Sequence, residues 1–193
     1  MRITLPAPVP TIVLILLPAA VAAQGQPSGQ TKETQAELIK AAEAGAPDRI
    51  SAQATIVRME PKGETTVVRQ GSNGFTCFLM PDEIHTPVCT DKKGMSWFTA
   101  AAGDQPKPPT TGGVAYMAKG SQHYEDSDGR IVMHPGSGTK TVKEPPHWML
   151  LTPLDTAATG IPAHPNAGGS YIMFAGTPYA HLMIHQDPKM LKP

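Results

Sequence analysis

Residues 146–151 of the chain read PHWMLL, residues 171–174 read YIMF and residues 179–184 read YAHLMI. Each run is short, rich in aliphatic and aromatic side chains, and flanked by proline or glycine, which is the pattern of a β-strand. Three such runs in the last third of the chain predict an antiparallel sheet there.

The rest of the chain adds a helix and further short strands. Thr31 or Thr34 can cap an alanine-rich helix that Gly45 and Pro47 end. Residues 50–59 alternate apolar and polar side chains, residues 61–64 suit a turn and residues 65–69 are rich in β-branched side chains, which together predict a hairpin. The 21 prolines and 18 glycines indicate many turns. The sequence therefore predicts an α+β fold, with an N-terminal helix followed by a small antiparallel β-sheet domain rich in proline and glycine loops.

Two of the predicted strands share a His-x-Met motif. His147 and Met149 lie two residues apart, and so do His181 and Met183. Residues at that spacing in a strand point to the same face, so each motif presents an imidazole and a thioether together. Thioether sulfur selects Cu(I), and imidazole binds copper in either oxidation state. The four side chains are therefore candidate copper ligands.

Convergence of these donors depends on the strand order. If residues 171–174 lie between the motif strands, the histidines are about 9–10 Å apart, which is too far to share an ion. If the motif strands pair directly, opposed residues have Cβ atoms roughly 4.5–5.5 Å apart. Methionine also fills irregular gaps in cores, so core packing is the alternative interpretation of both motifs.

Two other functions stay open on the sequence. One is a hydrolase-type enzyme that uses His147 or His181 as a base in a pocket lined by Tyr116 and Tyr179. The other is a structural or interaction protein without a small-molecule site. The chain has no Gly-x-Ser-x-Gly elbow and no His-Glu-x-x-His motif. The serine, histidine and acidic residues between positions 121 and 128 predict an exposed polar loop.

The two cysteines, Cys77 and Cys89, are twelve positions apart. Redox pairs are usually Cys-x-x-Cys, and zinc sites need more ligands than two. In an oxidising compartment a disulfide is expected, and a loop of this length stabilises the fold by about 3 kcal/mol. The two Cα atoms should then lie about 4.4–6.8 Å apart.

The first residues have the features of a signal peptide. Arg2 precedes an apolar run at 11–17, and Val21-Ala22-Ala23 fits the cleavage site. We expect a signal peptide at 1–23, a flexible tether at 24–30 and a single globular domain at 31–193. The apolar run is shorter than the roughly 20 residues that span a bilayer. These features predict a periplasmic or secreted protein with no integral membrane segment after cleavage.

The balance of positive and negative side chains indicates which classes of partner to expect. The chain has 16 Lys and Arg against 16 Asp and Glu, and no basic run. Nucleic acid is therefore not expected as a partner. A small molecule, a metal such as copper or a protein partner stays open.

Several segments together resemble a family of uncharacterised exported bacterial proteins. The resemblance spans about residues 46–184 and rests on GSNGFTC at 71–77, PVCTD at 87–91, YM at 116–117, PHWM at 146–149 and, most specifically, GTPYAHLM at 176–183. It implies an exported protein with a two-cysteine loop. The family has no assigned activity, so the resemblance implies no mechanism. The chain departs from the family after Ile184, where family members tend to have proline in place of His185.

Overall fold

The computed structural model describes Met1 and residues 34–166 and 168–192. The predicted signal peptide at 1–23, apart from Met1, and the predicted tether at 24–30 lie outside the described residues. In the described part, no helix is both long enough and apolar enough to cross a membrane.

The described residues form a mixed α+β fold. The helices are α1 (Gln35–Glu43), α2 (Asp48–Ser51), α3 (Lys92–Ala102) and α4 (Thr156–Thr159), and a short 3-10 turn spans Pro188–Met190. The strands are β1 (Thr55–Met59), β2 (Thr65–Arg69), β3 (Phe75–Leu79), β4 (Pro87–Asp91), β5 (Val114–Met117), β6 (Ser121–Glu125), β7 (Ile131–Val132), β8 (Lys140–Glu144), β9 (His147–Leu150), β10 (Ser170–Met173) and β11 (His181–Ile184).

These strands form two sheets. Within residues 34–166 and 168–192, eight strands make a large sheet in the order β10-β11-β9-β5-β4-β3-β1-β2, and three make a small sheet in the order β7-β6-β8. The large sheet is mostly antiparallel, but β1 and β3 pair in parallel. The chain leaves β2 and crosses the start of β1 at Gly71, where a Cβ atom would lie 2.2 Å from the backbone of Ala54. That crossing brings β3 to the far side of β1. The sheet therefore contains one parallel pair, whereas the sequence predicts an antiparallel sheet.

The two long helices cover opposite faces of the large sheet. Side chains alternate along a strand, so Cys77 packs with Ala42 of α1 whereas its neighbour Phe78 packs with Phe98 of α3. Helix α1 begins with a capping box between Thr34 and Glu37, which satisfies backbone N–H groups that the first turn leaves unpaired. The face under α3 is the one that carries the candidate site.

Cys77 and Cys89 form a disulfide, as the sequence predicts. They lie directly opposite each other on β3 and β4, with an S–S distance of 2.03 Å and a Cα–Cα distance of 4.0 Å. This Cα–Cα distance is slightly below the expected range, and the paired positions on adjacent antiparallel strands, which ordinarily lie about 4.5–5.5 Å apart, bring the two cysteines within reach of each other.

The predicted exposed loop is wrong for residues 121–125, whereas Ser127 and Asp128 do lie in an exposed turn. Ser121–Glu125 is strand β6, which pairs with β7 on one side and β8 on the other. His123, at the centre of β6, is only 3% exposed. The polar composition of this segment suggested exposure. The segment is buried because it pairs with strands that come later in the sequence.

Candidate functional site

The two motif strands are direct neighbours. Strand β11 pairs antiparallel with β9, and Met183 lies opposite Met149. Strand β10 pairs with the other side of β11 and lies at the edge of the sheet. The meander order that would have separated the motifs is therefore not the one found. The long connection between β9 and β10 allows β10 to reach the far side of β11.

A local two-fold axis passes between Met149 and Met183. His147 and His181 each lie two residues before the methionine of their own strand, so the antiparallel register carries them to opposite ends of the pair. The two histidines share one face of the sheet but are offset by four residues along the strands, roughly 13 Å.

The outer strands extend the same symmetry. Met117 of β5 lies opposite His147, and Met173 of β10 lies opposite His181. All four side chains are buried. Each histidine therefore has one methionine two residues along its own strand and another on the neighbouring strand.

His147 presents a buried lone pair. Its Nδ1 lies 2.7 Å from the carbonyl oxygen of Pro145. A carbonyl only accepts hydrogen bonds, so Nδ1 carries the proton and donates it. The Nε2 atom is buried and has no hydrogen-bond partner within the described part of the chain. Burial lowers the pKa of His147, which keeps the ring neutral.

His181 is held in the same way. Its Nδ1 donates to the carbonyl oxygen of Tyr179 at 2.9 Å, which leaves the lone pair on Nε2. Burial lowers the pKa of His181 to about 4, so the ring is neutral at pH 7. A backbone carbonyl that fixes Nδ1–H and leaves Nε2 free is a common support for a metal-binding histidine.

Both histidines line one cavity between the large sheet, α3 and the small sheet. The cavity has a volume of about 170 Å³. Six of the ten methionines of the chain line it among the residues described: Met80, Met117, Met133, Met149, Met173 and Met183. Its wall is therefore rich in thioether sulfur near the imidazoles of His147 and His181, and His123 of the small sheet lines it as well.

Aromatic rings enclose the His181 end of the cavity. Trp97 of α3 packs edge-on against His181 with ring centroids 5.1 Å apart, and Phe174 packs against the same imidazole at 5.6 Å. Trp97 also contacts Tyr179 at 5.2 Å. These contacts fix the orientation of the His181 ring and exclude water from it.

An outer hollow adjoins the cavity. It has a volume of about 370 Å³ and shares Met80, Met133 and Trp97 with the inner cavity. His134 and Asp104 also line this hollow, where their side chains meet at 3.1 Å. The shared side chains form part of the wall of both spaces.

A buried carboxylate lies beside the His147 end. Glu144 of β8 accepts hydrogen bonds from His123 and from the Tyr171 hydroxyl at 2.5 Å, and its other carboxylate oxygen lies 2.5 Å from Nε2 of His185. Burial raises the pKa of Glu144, but these hydrogen bonds and the nearby histidine charges outweigh it and lower the pKa. The His185 ring also lies 6.1 Å from the His147 ring.

His123 bridges two carboxylates. Its Nδ1 contacts Glu144, and its Nε2 lies 3.2 Å from Glu125, which in turn pairs with Lys140 at 2.6 Å. Burial opposes a charge on His123, but hydrogen bonds to both glutamates outweigh it and raise its pKa. A protonated His123 thus joins β6 to β8, and the Tyr171 hydroxyl joins Glu144 to the large sheet. We call Glu144, His123, Glu125, Tyr171 and His185 the glutamate network.

The two tyrosines named as pocket residues do not line the cavity. Tyr116 lies between Ala115 and Met117 on β5, so strand alternation turns it to the opposite face, where it packs near Phe75 with ring centroids 6.1 Å apart. Tyr179 is buried against Trp97, and its hydroxyl donates to the carbonyl oxygen of Gln105 at 2.9 Å.

Sequence reasoning missed several residues of this region. Met117 and Met173 complete the surroundings of the histidines, but their positions depend on a strand register that no local pattern reveals. The sequence pointed to them only through its high methionine content, ten residues in all. In the described residues no group of three or more His, Cys, Asp or Glu side chains could hold a metal ion.

Comparison of the chain with protein-family models, with curated proteins and with solved structures finds no significant match. The functional interpretation therefore rests on the geometry of the cavity.

Proposed function

We propose that this domain binds Cu(I) in the cavity, through the imidazoles of His147 and His181 and the thioethers of Met149 and Met183. The observation that carries the proposal is the Nε2 atom of His147, a buried lone pair with no partner among the described residues, in a wall rich in thioether sulfur. A buried polar atom of this kind costs free energy unless something pairs with it.

The donor set favours copper over other metals. Thioether sulfur is a soft ligand that selects Cu(I), and neutral imidazole is compatible with it. Mg²⁺ and Ca²⁺ take oxygen ligands, and structural zinc sites use thiolates and imidazoles. The thiols of Cys77 and Cys89 are committed to their disulfide.

The surroundings also suit a cation. Burial lowers the pKa of His147, and the negative charge of the Glu144 carboxylate raises it in part. The field of Glu144 is therefore felt at the His147 ring. The same field stabilises a positive ion bound at Nε2. A monovalent ion with neutral ligands carries less charge into a buried site than a divalent ion would, and its desolvation cost is lower.

Export supports the assignment. The predicted signal peptide sends the chain to a compartment where disulfides form, and the Cys77–Cys89 pair is consistent with that location. We therefore propose a periplasmic or secreted protein that sequesters or carries Cu(I).

A competition titration tests the function. Full-length protein is expressed with its export signal, purified from the periplasm and titrated anaerobically with Cu(I) in the presence of bicinchoninate and ascorbate. We expect the protein to withdraw Cu(I) from the chelator. The affinity of the H147N/H181N double variant for Cu(I) should be at least tenfold lower. Asparagine can still donate a hydrogen bond to the backbone carbonyl, but it has no counterpart of the metal-binding Nε2 atom.

His164→Ala is the matched control, because His164 lies exposed outside the cavity. It should bind Cu(I) as the wild type does. The proposal is wrong if the wild type leaves all copper with the chelator, or if the folded double variant competes as well as the wild type.

A further inference from the structure

We infer that the cavity holds two Cu(I) ions in separate donor sets, one formed by His147, Met117 and Met149 and the other by His181, Met173 and Met183. The inference rests on the copper-binding function proposed above. It adds the number of ions and the ligands of each.

The register keeps the histidines apart. Because Met149 pairs with Met183, the Cα atoms of His147 and His181 are offset by four residues along adjacent strands. That offset is roughly 13 Å. Ligand–metal bonds to imidazole nitrogen are only about 2 Å long, so two rings that stand upright on the sheet do not meet at one ion.

The hydrogen bonds to Nδ1 hold this separation. His147 is tied to Pro145 and His181 to Tyr179, each two residues before the histidine. In the antiparallel pair, Pro145 and Tyr179 lie at opposite outer ends. Each ring is therefore anchored away from the other histidine.

Each histidine has two methionines closer to it than the other histidine is. Met117 lies directly across from His147 on the neighbouring strand, and Met149 follows two residues along the same strand. Residues opposite each other have Cβ atoms roughly 4.5–5.5 Å apart, and residues two apart on one face are separated by roughly 7 Å. One imidazole and two thioethers can thus reach a common ion.

The local two-fold axis repeats that arrangement at the other end. Met173 lies across from His181, and Met183 follows His181 on its own strand. Both sets line the same cavity. Because the second set reproduces the first in strand position and in side-chain type, a cavity that binds Cu(I) at one end has an equivalent set of donors at the other.

Copper stoichiometry tests the inference. Periplasmic wild-type protein, with the disulfide intact, is titrated with Cu(I) against bicinchoninate, and bound copper is measured per protein chain. We expect two equivalents for the wild type, one for His147→Asn, one for His181→Asn and none for the double variant. Met117→Leu and Met173→Leu conserve volume, and each should weaken one equivalent at least tenfold while leaving the other unchanged.

Met190→Leu is the control, because Met190 is exposed and lies outside the cavity. The two-ion inference would be wrong if the wild type bound only one equivalent of copper and either single histidine substitution removed it. The copper-binding function would still hold in that case. Two equivalents that persist in a folded single histidine variant would also overturn it. No bound copper in the wild type would refute the function itself.

Discussion

Met149 and Met183 lie directly opposite each other on adjacent antiparallel strands, on the face of the large sheet that lines the cavity. Their pairing relates the two His-x-Met motifs by a local two-fold axis. It also places a histidine at each end of the methionine pair, so the register of β9 and β11 sets the spacing of the two histidines and of these two methionines.

Substitution of Met183 in the metal-free protein measures how much this side chain contributes to core packing. Met183 is 1% exposed, so Met183→Ala should lower the free energy of unfolding by about 2–5 kcal/mol through the cavity it leaves. Met183→Leu keeps the volume and should cost less than about 1.5 kcal/mol. Urea unfolding of the metal-free variants measures both changes. An alanine variant as stable as the leucine variant would show that Met183 does not fill the core.

The glutamate network should contribute strongly to stability. Glu144→Gln removes the negative charge that faces the protonated His123 and should destabilise the protein by about 3–5 kcal/mol, because it leaves a buried cation with a poorer partner. Chemical denaturation at pH 7 measures the change. Glu83→Gln, at an exposed position, is the control and should have little effect. Equal stability of the two variants would contradict a structural role for the network.

The buried His181 should make the apoprotein sensitive to acid. Its pKa is about 4 in the folded chain and about 6.5 in an unfolded chain. Between these values the unfolded state binds a proton that the folded state does not, so the free energy of unfolding falls as the pH is lowered from about 6.5 to 4. The shift corresponds to a loss on the order of 3 kcal/mol.

A non-titrating variant isolates this effect. The stability advantage of the wild type over His181→Asn should shrink as the pH falls through that window, as measured by urea unfolding at a series of pH values. Glu144 has a lowered pKa, so its own contribution is lost only below its ordinary value of 4.5. A difference between wild type and variant that is constant from pH 7 to 4.5 would contradict the prediction.

The disulfide should stabilise the fold without taking part in metal binding. Cys77 and Cys89 pack with Ala42 on the sheet face opposite the cavity. Replacing both by alanine opens a loop whose closure contributes about 3 kcal/mol. The variant should lose that much stability in denaturant unfolding yet keep its full capacity for Cu(I) under conditions where it is folded. Unchanged stability or lost copper capacity would each contradict this account.

The sequence predicted the strands and the shared face of each motif because these features are local. Alternation along a single strand is enough to place His147 with Met149 and His181 with Met183. The same rule, applied to β5, would have turned Tyr116 away from Met117 and removed it from the pocket. The α+β class followed from an alanine-rich helix and short apolar runs, which are equally local signals.

The remaining features depend on contacts that are distant in sequence. Met117 and Met173 join the site only through the register of β5 with β9 and of β10 with β11. Glu144 lies on β8, and its buried partners His123 and Tyr171 come from other strands. Strand order and charge pairing of this kind arise from tertiary packing, which composition and periodicity do not encode.

X-ray absorption at the copper K edge tests the central claim most directly, because it identifies the atoms bound to the metal. Wild-type protein loaded with Cu(I) should show sulfur scatterers together with imidazole nitrogen. The H147N/H181N variant should bind little or no copper, and any copper that it does bind should show no imidazole contribution. A spectrum of loaded wild-type protein that contains only nitrogen and oxygen scatterers, or one that the histidine substitutions leave unchanged, would contradict a copper site in the His and Met cavity.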